Sequence, residues 1–289
     1  MSIMMNVDSL TTADGIRLKY AYSGNDRGKP WIMLVIPFGL DVSMAGAFFE
    51  FFESHYNVCT WESRSILEES DRVCEVSEFA IDHHVADGLA VLDALHVEEA
   101  ILVGYCSGAG IALGAINLAP NRFGELVLAH GEYTLLRDAK LTTPFAVDMD
   151  TLLCLAASNE ARAQIVFDKI QSERFDNVPN RPSGLDQPFG TLRSLRRYAQ
   201  NYLAYKSTDY TQLAREVTHP TLLLAGGKDI QVNINSSREI QRHIRGARLF
   251  VDPDADHYGV LTQDSPTLIA IWNYICENAY ARRQRRMYS

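Results

Sequence analysis

Ala100-Ile101-Leu102-Val103-Gly104-Tyr105-Cys106-Ser107-Gly108-Ala109-Gly110 is the stretch on which the fold turns. Its first half is an unbroken apolar run, the pattern of a strand covered on both faces of a parallel sheet. The run stops at small residues, and apolar positions at helical spacing follow through Ile111, Leu113 and Ile116. A strand, a tight turn and a helix, with Gly104-x-Cys106-x-Gly108 across the turn, form a nucleophile elbow with cysteine where serine usually stands. Glycine is needed on both sides because a Cβ there strikes neighbouring backbone. The apex sulfur then sits at a helix N-terminus, whose free N–H groups and positive potential lower a thiol's pKa and can hold an oxyanion. Taken alone, the same residues also read as a buried cysteine in a glycine-rich helix cap. The surrounding chain decides between the two.

Upstream, Ser9 to Ser23 reads as two short strands joined at Asp14-Gly15, a hairpin signal. Trp31 to Ile36 is a second buried strand, ending at Pro37-Phe38-Gly39-Leu40, with helix-like sequence from Met44 to Glu53. Tyr56 to Trp61 is the next strand, and Phe79 to Leu95 carries helical spacing. Downstream, the elbow helix runs to about Leu118 and Glu125 to Ala129 forms a further strand. From Leu135 to Val217 no such strand recurs: Asp148 to Ile170 and Thr191 to Lys206 read as helices, separated by a loop from Asp176 to Gly190 that is rich in turn residues. Alternation resumes with strands at Thr221 to Ala225 and Arg248 to Val251, and helices at Ser236 to His243 and Ser265 to Tyr280. The pattern predicts an α/β chain with an eight-stranded, mostly parallel sheet: core residues 1–134, a helical cap 135–217, and core residues 218–289.

The 289 residues, 47% of them hydrophobic, suffice for one large core. A net charge of −9 argues against nucleic acid or anionic membrane as the main partner. Met1 to Asn6 has no basic region followed by a long apolar stretch, so a signal peptide is not expected, and no apolar run reaches membrane-spanning length. Five scattered cysteines (Cys59, Cys74, Cys106, Cys154, Cys276) without a C-x-x-C pair fit a reduced cytoplasm better than disulfides or zinc. No metal and no cofactor are expected. A homodimer is left open. Arg282, Arg283, Arg285 and Arg286 read as a solvated end compensating a helix dipole.

Carboxyl ends of strands in an open parallel sheet share one crevice. Gly226-Gly227-Lys228-Asp229 follows one late strand and Asp254-Ala255-Asp256-His257-Tyr258-Gly259 follows the last, so Asp229 and His257 are expected to converge on Cys106. The order nucleophile, acid, histidine matches a hydrolase triad. In it His257 takes or holds the cysteine proton, and Asp229 fixes the imidazole tautomer. Glu132, just after the Glu125–Ala129 strand, is the rival acid; Asp229 is preferred for its motif context. Asp254 and Asp256 read as turn formers.

Over almost its whole length the chain resembles the α/β-hydrolase superfamily. Its elbow (Gly104, Tyr105, Cys106, Ser107, Gly108) is similar to those of the cysteine-bearing dienelactone hydrolases and polyhydroxyalkanoate synthases, with Ala109 in place of a further glycine. Trp61-Glu62-Ser63-Arg64 resembles the superfamily's Asp-x-Arg-Gly-x-Gly loop, with Ser65 in place of glycine. The resemblance implies an oxyanion hole made by the Ser107 N–H and a second amide from Phe38 or Gly39. The cap and length also resemble stand-alone thioesterases and off-loading enzymes of biosynthetic assembly lines. What this implies is acyl transfer from a thioester of coenzyme A or an acyl carrier protein to an acceptor or water, with hydrolysis of a lactone or small ester, or non-covalent ligand binding, as alternatives. Substrate contacts are expected from Tyr105, His130 and Tyr258, with His130 reading equally as an ordinary packed histidine. His83 and His84 read as structural or solvated, and Ser107 as a helix cap. The stripe Leu192, Leu195, Tyr198, Tyr202, Tyr205 suits either core or pocket. Arg193, Arg196 and Arg197 suit a solvated face or an anionic carrier.

Overall fold

A computed structural model of the chain describes residues 5–136, 138–173 and 181–287, with 173 and 281–287 by backbone only. Eight strands form one sheet: β1 (Asn6–Thr11), β2 (Arg17–Tyr22), β3 (Trp31–Val35), β4 (Asn57–Trp61), β5 (Ala100–Tyr105), β6 (Phe123–Ala129), β7 (Thr221–Gly226) and β8 (Arg248–Asp252). Their spatial order is β1-β2-β4-β3-β5-β6-β7-β8. β1 and β2 form an antiparallel hairpin, β2 meets β4 antiparallel, and every other pairing is parallel. The hairpin turns at Gly15, whose φ of 83° suits glycine.

Side chains on the central strands alternate between two faces, as the two-residue period of a strand requires. Met33, Val35, Leu102, Leu126 and Leu128 pack on one side, with α2 (Ile81–Ala94) and α3 (Ser107–Leu118). Ile32, Leu34, Ile101, Val103 and Val127 pack on the other, with α1 (Gly46–Phe52) and the closing helix Pro266–Met287. Burial on both faces is why these strands read as continuous apolar runs. The four tail arginines fall inside the last turns of that closing helix; their side chains lie outside the described residues.

Between β6 and β7 the described chain is helical: α4 (Pro144–Ser158), α5 (Glu160–Glu173), α6 (Leu192–Lys206) and α7 (Tyr210–Glu216). The single helix expected over Asp148 to Ile170 is two. Asn159 is extended, at φ −169° and ψ 167°, and its side chain accepts from the Arg162 N–H at 2.9 Å. A residue that bonds its own backbone ahead ends one helix and starts the next. The loop expected from Asp176 to Gly190 lies partly outside the described residues; its later part contains a single turn, Gln187–Phe189. α4, α5 and α6 pack on one another, whereas α7 lies against α3 and the helix α8 (Ile234–His243), and Pro266–Met287 becomes α9.

Arg197 corrects the expectation of a solvated arginine face. It is buried, and its guanidinium donates to the carbonyls of Ser65, Glu68, Ser70 and Arg72 at 2.7–2.8 Å. It therefore gathers the loop after β4 beneath α6 rather than meeting a carrier. That loop also shows why the family-like position matters: Ser65 adopts φ 61°, and Arg64 forms a two-pronged pair with Asp87 at 2.6 and 2.8 Å. His84, read as structural or solvated, is buried and bridges α2 to α6 through Asn201 at 2.7 Å.

Candidate active site

Cys106 joins β5 to α3 at φ 52° and ψ −122°, a backbone state that only an over-determined turn retains. The elbow glycines make that turn physically accessible. A Cβ on Gly108 would lie 2.0 Å from the Val35 carbonyl oxygen, and one on Gly104 would lie 2.6 Å from both Ala109 Cα and the Gly108 oxygen. Because Cys106 itself occupies the cap position of α3, Ser107 is the first helical residue. Its hydroxyl does not cap the helix, contrary to expectation; it accepts from the Phe38 N–H at 3.2 Å, joining the elbow to the loop after β3.

The late strands deliver the partners that chain order suggests. Asp229 follows β7 and His257 follows β8, and His257 Nδ1 lies 2.8 Å from Asp229 Oδ2. The other carboxylate oxygen of Asp229 accepts the N–H groups of Gln231 and Val232, each at 2.9 Å. Burial alone would raise this carboxyl, but the two neighbouring imidazoles, His257 foremost, hold it well below the usual carboxylate range. Burial pulls His257 down; the Asp229 carboxylate and the neighbouring Cys106 outweigh that and hold the imidazole well above its ordinary value.

His130 is corrected from pocket wall to brace. It lies behind Asp229, 2% exposed, with Nδ1 at 3.3 Å from Asp229 Oδ2 and Nε2 at 3.3 Å from Thr267 Oγ1. His130, Asp229 and His257 offer donor atoms within 4.8 Å of one another, a spacing a cation could use. Both histidines, however, direct Nδ1 at the same oxygen, which is the geometry of two N–H donors sharing a carboxylate; a metal would require those nitrogens bare. Tyr105 likewise serves the histidine: its hydroxyl donates to the His257 carbonyl at 3.1 Å. Thr267 and the amides of Gln231 and Val232 carried no motif, so spacing could not have revealed them.

A cavity of about 160 Å³ opens over Cys106 between the sheet and the helices α4 and α6. Its wall is mainly apolar and aromatic, and Tyr198, Tyr202 and Tyr205 of the α6 stripe face it, as does Tyr258. Gly39, at φ 82°, lets the Phe38 loop pass beneath the cap, since a Cβ would lie 2.8 Å from Tyr198. The Phe38 amide is engaged by Ser107. The Gly39 amide has no acceptor among the described residues.

Glu132, the rival acid, makes no bond to either histidine. It lines the cavity, and its backbone N–H donates to the Cys106 carbonyl at 3.1 Å. One face is open to the cavity, yet the protein around it is dense enough to push its carboxyl up to about 7. Asp229 is therefore the residue that orients His257.

All five cysteines are free thiols. Burial pushes the Cys59 and Cys74 thiols up, and desolvation beside Asp150 does the same to Cys154. Iodoacetamide at neutral pH is expected to modify Cys106 first, because it alone opens on the cavity beside an imidazolium. Peptide mapping over time checks this, and modification of Cys59 or Cys74 ahead of Cys106 would contradict an activated thiol.

The strand order, the elbow and the acid and histidine after late strands define an α/β-hydrolase fold. No family model matches the chain. Over 235 residues, 81% of this chain and 82% of the relative, it is 24% identical to an L-allo-isoleucyltransferase of Pseudomonas savastanoi pv. glycinea. Among solved structures it is similar to a hydrolase from Pseudomonas aeruginosa, with TM-score 0.70 and 22% identity over 93% of this chain and 98% of that one. An enol-lactonase from Burkholderia xenovorans gives TM-score 0.69 and 19% identity over 93% and 100%. Among the described residues, no helix is long and apolar enough to cross a membrane.

Proposed function

We propose that the chain is an acyltransferase that carries an acyl group on Cys106, taken from the thioester of coenzyme A or a carrier protein and passed to an acceptor thiol. The observation that carries the proposal is the alignment of Cys106, His257 and Asp229 beneath one apolar cavity. The Cys106 thiolate attacks the thioester carbonyl carbon, and the oxyanion is met by the Ser107 N–H at the start of α3 and by the Gly39 amide. The tetrahedral carbon collapses, the donor thiolate leaves, and it takes the proton held by His257. An acceptor thiol then gives its proton to His257, attacks the acyl–Cys106 bond, and releases Cys106 as thiolate.

A sulfur nucleophile suits this cycle because each exchange replaces one thioester by another and is nearly balanced in free energy. A serine would store the acyl group as the more stable oxygen ester. The aromatic cavity suits a small branched chain, and the relative named for moving L-allo-isoleucine supports an aminoacyl cargo.

The test is product partition. With one aminoacyl thioester as donor and rising pantetheine as acceptor, chromatography is expected to find the acyl group on pantetheine in preference to free acid. Free acid alone at every acceptor concentration would make the chain a hydrolase, like the enol-lactonase it resembles in fold.

A further inference from the structure

Among the described residues, one carboxylate, Glu132, lines the cavity beside Cys106, and no lysine or arginine pairs with it. Glu132 follows β6 directly, and its main chain is fixed on both sides: its N–H bonds the Cys106 carbonyl, and its own carbonyl accepts the Tyr205 hydroxyl from α6. Glu132 lines the same cavity as Cys106. Oε1 accepts the Thr134 N–H at 2.5 Å, and the Tyr133 N–H also favours this carboxyl's charged form. No lysine or arginine among them pairs with it. His257 is near enough to act on it but is bound to Asp229. Arg181, the one guanidinium on the cavity wall, pairs with Asp186 at 2.5 Å.

A buried carboxylate without a counterion is costly, and it becomes favourable when a ligand supplies the charge. Resting on the acyl-transfer reading above, we propose that Glu132 binds the α-ammonium of an aminoacyl thioester and so selects aminoacyl over simple acyl groups. An α-ammonium sits on the carbon next to the reacting carbonyl, so its partner must lie in the cavity that holds Cys106, and among the described residues Glu132 is the carboxylate that lines it. Glu132 and Cys106 line the same cavity, together with Tyr198 and Tyr205. The dense surroundings that hold Glu132 near neutrality also make an incoming ammonium its natural partner.

Two N-acetylcysteamine thioesters test this, that of L-allo-isoleucine and that of 3-methylpentanoic acid, which lacks only the amino group. Acylation of the wild-type protein, followed by intact mass, is expected to favour the aminoacyl donor by roughly 30-fold or more, the scale of a hydrogen bond to a charged group. Glu132→Gln keeps the shape and the Thr134 bond; it is expected to erase the preference by slowing the aminoacyl donor while leaving the other within about threefold. Equal use of both donors by the wild type overturns the proposal without any variant. So does a Glu132→Gln protein slowed alike on both, since that is a structural effect. If neither donor acylates the wild type, the acyl-transfer reading falls and this assignment falls with it.

Discussion

Cys106→Ala is expected to remove thioester turnover by at least roughly 10⁴-fold, because Cys106 is the one cysteine that lines the cavity among the described residues and triad members act as one unit. His257 and Asp229 would keep their 2.8 Å bond in the variant, but an imidazole with no thiol to deprotonate does nothing for the carbonyl. The fold should survive. Gly104 and Gly108 set the tight turn, and the lost sulfur faces a cavity rather than packed core. Steady-state rates and the thermal midpoint are the measurements. A variant that keeps more than a few per cent of the rate, while unfolding at the same temperature, would remove Cys106 from the mechanism.

Asp229→Asn is expected to lower the rate next most, by roughly 10²- to 10⁴-fold, the upper end being the loss seen when the acid of a serine triad is made neutral. The cause lies in what the carboxylate holds. It orients His257 Nδ1, and its charge outweighs the burial that would otherwise favour neutral imidazole. An amide keeps the shape and the Gln231 and Val232 bonds through its oxygen but offers no charge. His130 then faces the same weakened partner from the other side. The loss should stop short of that for Cys106→Ala, since a thiol ionises with less help than a hydroxyl. Turnover is measured for Asp229→Asn and Glu132→Gln with the same simple acyl donor. A near-silent Asp229→Asn beside a crippled Glu132→Gln would reverse the assignment of the acid.

Much of this site is legible in the sequence because its geometry rests on local rules. Gly104 and Gly108 announce the elbow by their spacing, and Val35 and Ala109 supply the reason: their backbones leave no room for a Cβ. Asp229 and His257 are legible because each follows a strand, and parallel strands end on one side of a sheet. What fails is whatever depends on a neighbour distant in sequence. His130 sits at a strand end like the others, yet its ring turns inward to Thr267, 137 residues away. Ser107 is a cap by residue type, but the Phe38 amide claims its hydroxyl. Arg197 belongs by pattern to a row of surface arginines, and four carbonyls of another loop hold it inside. Glu132 shows the middle case. Its place after β6 marks it as a functional candidate, but it makes no hydrogen bond to either histidine, and Asp229 holds that position.

The covalent step is tested most directly by intact-protein mass spectrometry of the wild-type chain after brief exposure to L-allo-isoleucyl-N-acetylcysteamine, with and without a pantetheine chase. Transfer through Cys106 requires one added acyl mass, located by peptide mapping on the peptide that carries Cys106 and discharged by pantetheine into a new thioester. A protein that turns the donor over while its mass never changes, or that carries the acyl group on another residue, would contradict it.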